Sequence, residues 1–190
     1  MLKRLSVTTA VVAATAAPAF AHLDPTEHGS FLAGISHPLS GADHMLAMIA
    51  VGLWAAQLGG RARWTVPAAF VSLMTLGFVL AMAGAPLPVV EPAILASVIG
   101  LGLLVALAVH VPAAISAALV GFFALFHGHA HGGELGAATA FPFGLGFILA
   151  TAFLHAVGIG LGMIAGGRHR TIARLLGMLT AAGGAWLAFG

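Results

Sequence analysis

The 190-residue chain contains no cysteine and no tyrosine. Without cysteine there is no disulfide framework and no thiolate ligand for a metal. Charge is the next scarcity, since Lys, Arg, Asp and Glu together make up 6% of the residues, where a soluble domain carries about 25%. So few charges cannot coat a water-soluble fold. A formal net charge of +2 leaves no basic stripe to neutralise phosphates, which argues against a nucleic-acid partner. The sequence pI of about 10.6 reflects only that small excess. Apolar residues are what the chain has instead: 61% of it is hydrophobic and its mean hydropathy is +1.09. That content excludes disorder, and glycines without a strict period exclude a collagen-like fibre. The remaining class is an all-α, multi-pass membrane protein.

The N-terminus has the form of a signal peptide. Lys3 and Arg4 make a positive start, Leu5 to Ala17 is uncharged, Pro18 breaks the run, and Ala19-Phe20-Ala21 fits the A-x-A cleavage pattern. The expectation is a leader over residues 1–21, with an uncleaved anchor as the alternative, and a transmembrane domain over 22–190 beginning at His22. Six apolar segments follow: Gly41 to Leu58, Trp64 to Gly84, Glu91 to Val109, Pro112 to Phe126, Phe141 to Ala165 and Thr171 to Phe189. At about 20 residues per span they predict a bundle of six transmembrane helices with short loops. With the mature N-terminus outside, Arg61, Arg63, Arg168, Arg170 and Arg174 all fall on the cytoplasmic side, as the positive-inside rule requires. Asp24, Glu27, Asp43, Glu91 and Glu134 all fall on the outer side. The expected location is the cytoplasmic membrane, with both mature termini on its outer side.

The same threading sorts the ten histidines. His22, His28, His37, His44, His127, His129 and His131 lie at or near the outer face, His110 and His169 at the inner face, and His155 within the fifth span. Imidazoles and carboxylates gathered on one side form a nitrogen and oxygen donor set for a divalent metal. A single interfacial histidine is ordinary; two clusters are less so. In the first, His37-Pro38-Leu39-Ser40-Gly41-Ala42-Asp43-His44, Ser40 and Asp43 resemble a capping box that starts the first span near Gly41. Pro38 and Gly41 argue against a straight helix through the stretch. Asp43 can bind metal, orient a ligating histidine, or merely complement the helix dipole. Met45 and Met48 beyond it read as membrane filler.

The second cluster is Phe126-His127-Gly128-His129-Ala130-His131-Gly132-Gly133-Glu134. Its glycines predict irregular backbone after a span ending at Phe126, either lining a wet cavity at membrane depth or forming a surface loop. Glu91, ahead of Pro92, is either helix-start chemistry or a relay. His155 is either a further station for an ion or a neutral histidine bonded to a neighbouring helix. His22, once freed at the N-terminus, is a further candidate chelator.

These residues resemble the HupE/UreJ family of hydrogenase and urease accessory membrane proteins. The similarity rests on the H-x5-D-H element from His37 to His44, continuing as MLAMIAVGLWAAQLGG, and on FHGHAHGGE from Phe126 to Glu134. It covers essentially the whole mature chain. The resemblance implies a nickel permease serving maturation of nickel enzymes, with hydrogenase or urease maturation proteins as partners. It also implies that His37, Asp43, His44, His127, His131 and Glu134 are ligands or relays, with His129 the least defined. Nickel comes from the resemblance alone, because the same donors accept Co²⁺ and Zn²⁺. The reading is therefore a non-enzymatic Ni²⁺ permease set among membrane lipid, with an oligomer compatible. The alternatives are an integral-membrane metalloenzyme with a fixed Zn or Fe centre on the same residues, and a metal sensor without transport.

Overall fold

The computed structural model describes residues 30–136, 138–165 and 170–190. The leader over residues 1–21, His22, His28, Arg168 and His169 lie outside the described residues. Among the described residues the chain is helical without strands: α1 (Ser30–Ser40), α2 (Ala42–Leu58), α3 (Ala62–Met82), α4 (Val90–Ala106), α5 (Ala113–Gly133), α6 (Ala140–Ile164) and α7 (Arg170–Phe189). Long apolar runs become helices because only a helix satisfies its own backbone in hydrocarbon. Helices α3, α5, α6 and α7 are long and apolar enough to cross a membrane, and the pair α1 and α2, bent by 79°, makes up to a fifth span. Helix α4 is apolar but has 17 residues. Large apolar side chains such as Phe141, Phe153, Leu179 and Trp186 point outward. In water such a surface would aggregate; in a bilayer it is the solvent-facing side.

The break between α1 and α2 follows from the chain. Pro38 sits inside α1 without an N–H to donate, and Gly41 takes extended backbone as the N-cap of α2. The expected capping box does not form the cap. The N-cap position, Gly41, makes no side-chain cap bond, and the Ser40 hydroxyl turns back to the carbonyls of Ser36 (2.9 Å) and His37 (3.0 Å). Helix α1 then lies along α6, and this returns His37 toward the bundle.

The second cluster corrects a prediction. The fourth span does not stop at Phe126, and the backbone of the histidine motif is not irregular, because α5 runs as a helix through Gly133. The glycines that weaken a helix in isolation serve here to bring two backbones together. A Cβ on Gly128 would meet the Met74 carbonyl oxygen of α3, and one on Gly132 would meet the Phe78 carbonyl. Close approach of this kind replaces hydrophobic driving force between membrane helices. Glycines in α2, α4, α6 and α7 make the corresponding approaches of α2 to α6 and α4 to α7. Substituting Gly128 by Ala is expected to force α3 and α5 apart and to lower stability by about 1–3 kcal/mol or more. Gly133→Ala, where a Cβ meets nothing within 4 Å, is the control, and unfolding midpoints in detergent compare the two.

Candidate metal centre

Three elements deliver the site. Helix α1 carries His37 near its end, α2 carries Asp43 and His44 in its first turn, and α5 carries His127 and His131 in its last turns. Residues four apart share a helix face, so His127 and His131 point the same way, whereas His129 between them does not. His131 lies at the middle. Its ring centroid is 4.5 Å from that of His37 and 4.4 Å from that of His44, and His44 is 4.9 Å from His127. Phe147 of α6 closes on His131 at 4.1 Å. His127 and His131 are fully buried, and His44 is 9% exposed.

At the exposed end of this line, His37 Nε2 lies 3.3 Å from Glu134 Oε2. Ligand atoms of His37, His131 and Glu134 fall within 4.8 Å of one another. An ion held by bonds of about 2.1 Å draws such atoms together with small side-chain rotations. The candidate set is thus a carboxylate and imidazoles at the mouth, leading to imidazoles alone within.

Proton counting orients two of these rings. Asp43 Oδ1 accepts from the backbone N–H of His44 and from its Nδ1, each at 2.8 Å. A carboxylate can only accept, so His44 Nδ1 carries a proton, and in the neutral ring the Nε2 lone pair is free. Ser97 of α4 donates its one hydroxyl proton to the Ile94 carbonyl at 2.6 Å and lies 2.9 Å from His127 Nε2. The hydroxyl must therefore accept from Nε2–H, leaving the His127 Nδ1 lone pair free. His44 Nε2, His127 Nδ1 and both nitrogens of His131 are buried with no hydrogen-bond partner. Buried polar atoms are almost always satisfied, and leaving them unpaired in apolar surroundings is expensive. One lone pair from each of these three adjacent rings, when neutral, suits a Lewis acid.

The remaining candidates are placed elsewhere. His129 Nε2 donates to the Ala85 carbonyl at 2.8 Å, in the connection after α3. Glu91 is exposed in the first turn of α4 and its side chain makes no hydrogen bond or ion pair among the described residues. His155 of α6 is 2% exposed with both nitrogens unpaired. The Phe70 ring stands against it at 5.0 Å and against His127 at 5.6 Å. Ser97, Phe70 and Phe147 were absent from the sequence-based set. Ser97 carried a usable signal, as a polar residue inside an otherwise apolar helix; the two phenylalanines carried none.

Comparison with known proteins identifies the family. The family model described as HupE / UreJ protein matches residues 10–187. Protein HupE of Rhizobium leguminosarum bv. viciae is 47% identical over 190 residues, covering 98% of this chain and 100% of the relative. No solved structure gives a significant match. A family match spanning both histidine motifs, joined to a full-length relative at this identity, places the chain in the HupE/UreJ family.

Proposed function

We propose that the protein is a permease that carries Ni²⁺ across the bacterial cytoplasmic membrane to supply maturation of hydrogenase or urease. The observation that carries the reading is the run of buried, unpartnered imidazole nitrogens on His44, His127 and His131 behind a carboxylate mouth. Glu134, His37 and His131 form a first station, and His131, His44 and His127 a second that shares His131. An ion exchanges ligands over a few ångströms instead of shedding all its water at once. Several moderate sites in sequence allow both capture and release. The carboxylates of Asp43 and Glu134 offset a dipositive charge that would be very costly alone in low dielectric. His155, past the Phe70 ring, is the next nitrogen on the inward path.

The proposed topology has six spans after a cleaved leader, counting the bent α1–α2 pair as one and α4 as another. It is supported by Arg61, Arg63, Arg170 and Arg174 lying at the end opposite Asp43 and Glu134. No nucleotide-binding motif is present in the sequence, and uptake driven by the membrane potential, by an ion gradient or by cytoplasmic trapping needs none. About 100 mV contributes about 4.6 kcal/mol to a divalent ion crossing the full field. His129 is a positioning residue for the loop after α3, and His129→Gln, which keeps a donor, leaves uptake at the wild-type rate.

Metal retention tests the permease against a fixed-centre enzyme. Purified protein loaded with Ni²⁺ should lose it on dialysis. Stoichiometric Zn or Fe that survives dialysis would contradict the reading and favour the enzyme.

A further inference from the structure

We propose that a cavity at the other end of the bundle binds the phosphate of an anionic lipid headgroup. The cavity has a volume of about 340 Å³ and is lined by Gln57, His110, Arg170 and Arg174 with Ala108 and Gly162. Gln57 closes the last turn of α2, whose first turn holds His44, so the two ends are about 20 Å apart by helical rise. The site is therefore separate from the histidine line, and its assignment does not depend on what those histidines carry.

The C-terminus of α4 builds the donors into place. The helix ends at Ala106, and Ala108 takes a left-handed φ of 52°. Side chains bond three backbone carbonyls at this end. Gln57 Nε2 donates to Val105 at 3.1 Å, Arg174 Nε to Ala106 at 2.8 Å, and His110 Nδ1 to Ala108 at 2.7 Å. Arg174 is thereby fixed through Nε with its terminal nitrogens still available. Arg170 makes no hydrogen bond or ion pair among the described residues, and no carboxylate lines the cavity. Two guanidinium groups on one cavity without a counter-charge repel each other. A phosphate relieves that repulsion and matches the planar donor fork of arginine.

Exposed apolar side chains next in sequence to lining residues favour a lipid over a free anion. Leu107, Ile164 and Leu175, each adjacent in sequence to a lining residue, are 65%, 77% and 51% exposed. Cations within and apolar side chains around are complementary to a headgroup and its acyl chains. Basic pockets between membrane helices bind such headgroups.

Native mass spectrometry of the full-length protein in detergent tests the proposal, with phosphatidylglycerol, phosphatidylcholine and inorganic phosphate as separate probes. The wild type should retain phosphatidylglycerol at least about tenfold better than phosphatidylcholine, and Arg170→Gln should reduce that preference about fivefold. Arg174→Gln also loses the bond to Ala106, so Arg170→Gln decides the outcome. Equal retention of the two lipids, or an unchanged preference in Arg170→Gln, would overturn the proposal. Inorganic phosphate binding without lipid and with the same arginine dependence would overturn the lipid assignment.

Discussion

Asp43→Asn is expected to reduce nickel uptake by about 10–100-fold, the usual effect of removing a carboxylate behind a ligating histidine. The substitution keeps the size of the side chain and an oxygen that can still accept from His44 Nδ1, so helix and ring orientation survive. It removes the negative charge that makes His44 a stronger donor and that offsets the ion. Asp43→Ala removes the hydrogen bond as well, frees the His44 ring and should reduce uptake further. The order wild type, Asn, Ala separates charge from orientation. Were Asp43 only a complement to the helix dipole, both variants would lose a few tenths of a kcal/mol of stability and transport normally. Radiotracer uptake, with expression and helical content matched, measures the difference.

His131→Leu is expected to abolish uptake while stabilising the protein. His131 belongs to both proposed stations, so its loss breaks the handoff that no other ring can bridge. In the metal-free protein its two nitrogens are buried and unpaired, and each such group costs about 1–3 kcal/mol. Leucine is of similar size and packs against Phe147 without that penalty. The unfolding midpoint in detergent, measured without nickel, should therefore rise by several degrees. Function and stability move in opposite directions, as expected of a residue kept for binding. A lower midpoint with uptake intact would make His131 a structural histidine.

The sequence held more of the site than of its geometry. Donor chemistry was legible because histidine and carboxylate are rare neighbours in an apolar chain, and Pro38 with Gly41 marked the bend that brings His37 back. The alternation His127, His129, His131 presents three equivalent ligands to the eye, but a helical period selects two and sends His129 to Ala85. That period was hidden because Gly128, Gly132 and Gly133 argue against a helix when read locally. Their role is set by the α3 backbone, which is distant in sequence. Ser97 orients His127 across a separation of 30 residues, and such pairings leave no local trace. The membrane class needed no structure, since the shortage of charge excluded a soluble fold and the apolar content excluded disorder.

The most direct test of the account is Ni²⁺ flux into proteoliposomes of the purified protein, with and without an inside-negative potential. The account predicts flux in the wild type and in His129→Gln, accelerated by the potential, and none in His131→Leu. Absence of flux in a folded wild-type protein that retains metal after dialysis would contradict it.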